Sequence, residues 1–386
     1  MVSKRLYPRL IRPPRGSFFL FGPRGVGKST WARQHFDEAL RFDLLDEALY
    51  LELLADPSQF AGELRRVSPG ARVVVDEVQR LPNLLNEVHR FIEERDLRFA
   101  LLGSSARKLK TAGTNLLAGR AIWKTMFPLV PQELGSDFSL PDVLQFGSIP
   151  LVWQSDHRAE TLTAYVQLYL REEIKAEALV RNLPGFARFL PIAALFHGQS
   201  INVSSIARDC GVARTTVSGY LDILEDTLLT YRLRAYEARL RVRERKLPKL
   251  YWVDPGLVRA VKKQLGAPSS EERGALLEGW VLTLLRTYAA ERGLFDEIFF
   301  WSAAQSNVEV DFLLQKGDRF FALEVKAGSR FNKSMLSGLK AIQNLEGLAR
   351  RVLLYTGSRQ LRTASGIEVW PVEAFLKSLA ADRLWP

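Results

Sequence analysis

Cysteine is nearly absent: Cys210 is the single one among 386 residues. One thiol permits neither a disulfide nor a cysteine-built zinc site within the chain, and a reducing, cytoplasmic compartment is the expectation. Long apolar runs are missing as well. The longest, such as Phe18–Phe21, fall far below the roughly 20 residues that a membrane helix needs, so no membrane partner is expected. The opening MVSKRLYPRL is basic, but charged residues and prolines interrupt it before an apolar stretch develops, and no targeting segment is expected. The four histidines, His35, His89, His157 and His197, show no ligand spacing.

What remains is the composition of a globular protein with several cores: 47% hydrophobic and 25% charged residues. The length suggests roughly two to four domains. The net charge of +11 is unevenly placed. Between Arg239 and Lys249 there are six basic groups and one acid, a concentration that attracts a polyanion better than the same charge spread thinly. A solvated face is the plainer alternative.

Apolar strands and amphipathic helices alternate over residues 1–150. Strands are expected at Ser17–Phe21, Arg72–Val75 and Arg98–Leu102, with helices from Lys28 and over Leu84–Glu94. Such alternation implies an α/β fold with a parallel sheet covered by helices. Helical periodicity marks Thr161–Leu179 and Phe186–Phe196, in a lid or linker over 151–200. Residues 201–266 read as short helices followed by basic strands. Gly266–Arg273, rich in turn residues, reads as a linker to a separate small α/β domain over 267–386.

The chemistry begins at Gly22-Pro23-Arg24-Gly25-Val26-Gly27-Lys28-Ser29, followed by Thr30. This is G-x-x-x-x-G-K-[ST] between a strand and a helix, the context a P-loop requires. Its glycines let backbone N–H groups converge on phosphate, and the helix N-terminus adds positive potential. Lys28 is expected to neutralise the β- and γ-phosphates of ATP, and Ser29 to ligate Mg²⁺. Val73-Val74-Val75 ends in Asp76-Glu77, placing one carboxylate to hold the metal and a second to polarise the attacking water. Another strand ends in Gly103-Ser104-Ser105, where either serine can bond the γ-phosphate or the water; an ordinary turn is the alternative. Arg120 is a candidate to stabilise phosphate from a lid or from a neighbouring copy in a homo-oligomer, or else a surface arginine.

These residues, with Asp76-Glu77-Val78-Gln79, Gly103-Ser104-Ser105, Gly119-Arg120 and Phe127-Pro128-Leu129, resemble the AAA-type ATPase domain. More narrowly, they are similar to a prokaryotic family in which that domain precedes an uncharacterised C-terminal module. The resemblance covers almost the whole chain and implies ATP binding and hydrolysis.

Within Ser205–Val217, the spacing of Ala207, Gly211 and Val217 fits a helix-turn-helix: a small residue for close approach, a glycine for the turn, and a core-facing β-branched residue. Val217, Leu221 and Leu224 then face the core, while Arg214, Thr215 and Ser218 project from the second helix toward DNA. Arg239, Arg241, Arg243 and Arg245 alternate, so in a strand they share the face of a wing that tracks phosphate. The competing reading is a winged helix packed rigidly against the ATPase. Cys210 reads as a small buried residue of this motif.

In the last segment, Glu278 lies at the border of an amphipathic helix, Asp311 on the strand Val308–Leu314, and Glu324 and Lys326 on one face of the strand Arg319–Val325. Carboxylates from a helix and two strands can hold a hard cation that activates water against a phosphodiester, with Lys326 orienting that water. Glu309 reads as an ordinary solvated strand residue. In order and element type the set resembles the restriction-endonuclease-like superfamily, patterned Glu…Asp…(Glu)-x-Lys. That resemblance implies a metal-dependent nuclease, or a relative that only binds or docks.

Overall fold

The computed structural model describes residues 5–105, 107, 109, 117–170, 182–237, 247–303 and 308–385. Its first sheet is built from β1 (Ser17–Phe21), β2 (Leu40–Asp43), β3 (Arg72–Asp76), β4 (Arg98–Gly103) and β5 (Ala121–Thr125), in the spatial order β2-β3-β4-β1-β5. Every neighbouring pair is parallel. Side-chain alternation divides the apolar residues between the two faces. Phe18, Leu20, Val74, Ala100 and Leu102 pack with Trp31 on one side, and Phe19, Phe21, Val73, Val75, Phe99 and Leu101 pack with the helix Leu84–Arg95 on the other. A sheet buried on both faces needs such unbroken apolar strands, and β1, SFFLF, is buried throughout.

Short helices over residues 131–164 lead into a π-helical stretch, Tyr165–Leu170. The helix Leu183–Leu195 then carries the chain to the middle segment. There, the helices Val203–Cys210 and Arg214–Asp226 meet at Gly211, which takes the left-handed conformation (φ 64°) that a tight helix-helix turn requires. Val217, Leu221 and Leu224 are buried, each worth about 1.5–3 kcal/mol of apolar transfer. The free thiol of Cys210 is buried beside them. Three antiparallel strands complete this segment: β6 (Gln199–Ser200), β7 (Thr230–Leu233) and β8 (Lys249–Trp252), with β8 in the centre.

The last sheet is mixed. It comprises β9 (Glu297–Ser302), β10 (Glu309–Lys316), β11 (Arg319–Lys326), β12 (Leu348–Tyr355), β13 (Leu361–Arg362) and β14 (Glu368–Pro371), in the order β13-β14-β12-β11-β10-β9. The chain just after β7 hydrogen-bonds to its β9 edge: Tyr236 N donates to Phe300 O (2.7 Å) and Phe300 N donates to Arg234 O (3.0 Å).

The stretch 266–273 differs from its expectation as a linker. A helix runs over Ser270–Arg292, and Ser269 and Glu272 cap it reciprocally: Glu272 N donates to Ser269 Oγ (3.2 Å) and Ser269 N donates to the Glu272 carboxylate (3.3 Å). The charged run is thus the first turn of the helix. One apolar cluster continues from Phe127 to Leu384, joining the helical region, the middle segment and one face of the last sheet. Among the described residues, no helix is long and apolar enough to cross a membrane.

Candidate functional site

The loop Gly22–Ser29 leaves β1 and enters the helix Lys28–His35 through two glycines of positive φ, Gly25 (77°) and Gly27 (94°). Side chains with a Cβ are strained in that region, so glycine lets successive N–H groups turn inward. A cavity of about 360 Å³ opens over the loop, lined by Gly25, Gly27, Lys28, Ser29, Thr30 and Glu77. Arg24 and Val26 also line it, with Tyr7, Arg9, Pro150 and Leu151 across from the loop. Gly22 packs tightly: a Cβ there would lie 2.4 Å from Met126 O. Its carbonyl, with that of Pro23, accepts from the buried Lys28 ammonium at 2.8 and 3.3 Å. Lys28 is thereby poised within the loop.

Several contacts brace the loop from outside. Tyr165 OH donates to Arg24 O (2.9 Å), and Leu151 N to Gly25 O (3.3 Å). Arg9 donates to Val26 O and Phe127 O, both at 2.5 Å, while its Nε pairs with the buried Glu133 at 3.1 Å. None of these braces was visible in the sequence, since a lone arginine or tyrosine carries no motif.

Asp76 and Glu77 stand at the end of β3. The Asp76 carboxyl is pushed up by burial, while a hydrogen bond from Ser29 opposes the shift and the charge of Glu77 adds to it. A buried carboxylate bonded to the loop hydroxyl is the donor pair that Mg²⁺ beside a triphosphate needs, so the residues fit that ion. Glu77 holds a left-handed backbone (φ 55°), uncommon for a residue with a side chain. Strain of this kind persists where neighbours fix it. Here Glu77 N donates to Asp76 Oδ1 (3.1 Å), and the side chain is gripped from two sides. Gln79 Nε2 donates to Glu77 Oε2 at 2.5 Å and to Ser104 Oγ at 3.0 Å, and Ser104 Oγ donates to Glu77 at 3.3 Å. Ser104 therefore meets the glutamate rather than facing the loop directly. Gln79 is the residue that sequence reasoning passed over, although the Asp-Glu-Val-Gln run contained it. Arg120 pairs with Glu93 at the surface and is not among the residues lining the cavity.

In the middle segment, Arg214 and Thr215 are exposed and Ser218 is half-buried on the first turns of their helix. Arg239, Arg241, Arg243 and Arg245 lie outside the described residues.

The C-terminal residues do converge. Asp311 Oδ2 accepts from Val325 N (2.8 Å) and lies 3.8 Å from Lys326 Nζ, which pairs with Glu324 Oε1 at 2.5 Å. Glu278 of the long helix joins them. Burial pushes its carboxyl up to about 8, with the charge of Asp311 adding, and the same causes raise Glu324 to about 7. Two residues of β8 also enter. Lys249 Nζ lies 2.8 Å from Glu309 and 4.0 Å from Glu278, and Tyr251 OH donates to Glu278. Burial alone would lower the Lys249 ammonium, but the carboxylates of Glu278 and Asp311 outweigh it and hold its proton above the ordinary range. Glu309, expected as a solvated strand residue, is instead the lysine's partner. Among the described residues, no group of three or more His, Cys, Asp or Glu side chains is arranged to hold a metal ion. Glu278, Asp311 and Glu324 do not fit a divalent cation in this arrangement.

Comparison with known proteins agrees with the N-terminal geometry. Residues 15–135, which contain the loop, match the family model described as an AAA domain. Residues 137–270 and 273–375 match two domains of unknown function, DUF8612 and DUF4143. An uncharacterized protein of Mycobacterium tuberculosis is 28% identical over 397 residues, covering 99% of this chain and 86% of its own. One from Haemophilus influenzae is 23% identical, covering 84% and 86%. Among solved structures, the Aeropyrum pernix Orc1 protein in complex with DNA aligns at 15% identity over 65% of this chain and 86% of that one, with a TM-score of 0.28.

Proposed function

We propose that this chain hydrolyses ATP with Mg²⁺ and uses the cycle as a switch acting on or near DNA. The observation that carries the reading is the grip of Gln79 and Ser104 on Glu77 beside the phosphate-binding loop. A carboxylate held in a strained backbone by two neighbours is preorganised to polarise a water, and preorganisation is where enzymes gain most of their rate. Gly22 to Thr30 would cradle the triphosphate and Lys28 would swing from its loop carbonyls to the β- and γ-phosphates. Ser29 and Asp76 would hold the ion, which supplies charge neutralisation on the transferring phosphoryl group.

The division into an ATPase domain (1–150), a helical lid (151–200), a winged helix (201–266) and a restriction-endonuclease-like domain (267–386) is part of the proposal. The exposed Arg214 and Thr215 and the basic run through Arg245 support DNA as the partner, and the reading places the protein in the cytoplasm. Arg120 would act only in a homo-oligomer, on a neighbour's site. A second reading, in which the C-terminal domain docks rather than cuts, is favoured by the lysine-filled carboxylate cluster.

Phosphate release from ATP, measured with and without duplex DNA, tests this. The parent chain should turn over and respond to DNA, and Glu77→Gln should bind ATP with turnover reduced about 100-fold or more. Equal turnover in both chains would refute the role given to Glu77.

A further inference from the structure

The wall of the cavity across from the phosphate-binding loop is held by a distant part of the chain. Pro150 and Leu151 form that wall, and they follow a stretch, Gly147-Ser148-Ile149, that lies in no helix or strand. Such a stretch takes its position from whatever pairs with its backbone N–H groups. The partner is Asp254, 106 residues on from Ser148. Asp254 stands just past β8, after Val253, whose N–H donates to Leu229 O (2.9 Å) and whose carbonyl accepts from Thr283 Oγ1 of the long helix (2.9 Å). Its carboxylate is fully buried, at 0% exposure. Oδ2 accepts from Ser148 N at 2.7 Å, and Oδ1 from Leu257 N at 3.2 Å, which caps the helix Pro255–Val261. Burial pushes the carboxyl up to about 6, and the N–H groups of Ser148, Leu257, Gly256 and Ile149 pull against that rise. A helix cap needs one acceptor oxygen. The second belongs to the loop.

Two glycines let the chains come this close. A Cβ on Gly147, which takes φ 74°, would lie 1.8 Å from Asp254 Oδ1, and one on Gly256 would lie 2.1 Å from Phe146 O. On the other side of the stretch, Leu151 N donates to Gly25 O (3.3 Å), and a Cβ on Gly25 would meet Leu151 Cβ at 3.0 Å. Contacts therefore run without a break from the end of β8, through Asp254 and residues 147–151, to the phosphate-binding loop. We propose that Asp254 is a positioning residue for nucleotide binding, which sets Pro150 and Leu151 against Gly25 from the middle segment. The site is then built jointly by the first sheet and the middle segment. This rests on the reading of Gly22–Ser29 as an ATP site. The grip on Glu77 is made by Gln79 and Ser104 and does not pass through Asp254, so the loss of Asp254 is felt as affinity and not as rate.

Calorimetry with Mg·ATP on the full chain, paired with phosphate release at saturating ATP, tests this. Asp254→Asn keeps one oxygen for the helix cap and turns an amide N–H toward Ser148 N, donor against donor. It should weaken binding about tenfold or more, while saturated turnover stays within about twofold of the parent. Ser269→Ala loosens a helix start that does not line the cavity and should leave affinity unchanged, which separates positioning from general destabilisation. In a Leu151→Ala background, Asp254→Asn should cost less than about threefold, because the route to the loop is already broken. Thermal melting establishes that each variant is folded. Should Asp254→Asn fail to fold, Asp254→Ser, which keeps a cap and is too short to hold the loop, is read the same way. A folded variant that binds Mg·ATP as the parent does, or loses affinity equally in both backgrounds, overturns the proposal. A fall in saturated turnover as large as the fall in affinity overturns it too. Failure of the ATP reading looks different: the parent itself would give no heat, and the positioning role would fall with it.

Discussion

Gly103→Ala is a small change with a calculable consequence for the grip on Glu77. Gly103 ends β4, and a Cβ built there would lie 2.5 Å from Gln79 Oε1 and 2.9 Å from Phe21 Cε1. Something must move. Phe21 is wedged in the core, its ring 5.7 Å from that of Phe19 and 4.4 Å from that of Trp123, and it has little room. Gln79 is the softer neighbour, and when it shifts it pulls its Nε2 from Glu77. Overpacking costs about 1–3 kcal/mol, and a lost hydrogen bond to a charged group about as much again. Melting should fall by several degrees, at roughly 2–4 °C per kcal/mol for a domain of this size. ATP turnover should drop about tenfold for each 1.4 kcal/mol by which Glu77 is mispositioned. A double-mutant cycle identifies the culprit. If Gln79 takes the collision, Gly103→Ala costs at least about 1 kcal/mol less in a Gln79→Ala background. Equal cost in both backgrounds would refute the reasoning and assign the clash to Phe21.

Tyr165→Phe removes the bond to Arg24 O and should weaken Mg·ATP binding severalfold by calorimetry, at about 1 kcal/mol. Ser269→Ala breaks the capping box and should lower stability by about 1 kcal/mol in a urea titration. His197 is fully buried and held down to about 4 by desolvation, with Lys262 adding, while its Nδ1 accepts from Trp252 N. Its folded value lies below its ordinary 6.5, so the stability it contributes is present above about 6.5 and lost as pH falls through about 4. The full loss is on the order of 3 kcal/mol, and unfolding compared at about pH 7.5 and 4.5 should show a smaller drop in His197→Gln than in the parent.

The parallel sheet was legible because its strands are apolar on both faces and end in the residues that do chemistry, as Val73-Val74-Val75 does at Asp76-Glu77. The two helices that meet at Gly211 were legible from Ala207, Gly211 and Val217, because a small residue, a turn glycine and a buried β-branched residue recur at those intervals. The short strands β13 and β14 were not, since pairing with a distant strand rather than local pattern defines them. Glu-x-Lys on β11 announced its own pairing, whereas Lys249 and Tyr251 are ordinary residues of a short strand that carries no motif. Only tertiary packing brings β8 against Glu278. The braces on the P-loop were hidden for the same reason. Tyr165 meets the loop across 141 residues of chain, Leu151 does so through a single backbone bond, and Arg9 lies ahead of β1 in no pattern at all.

The central claim is that the loop Gly22–Ser29 holds the phosphates of a nucleoside triphosphate with Lys28 as the neutralising group. Titration calorimetry with Mg·ATP tests it most directly. The parent should give a saturable heat, and Lys28→Ala should weaken binding at least tenfold, about 1.4 kcal/mol or more. No heat from the parent, or the same isotherm from both chains, would contradict it.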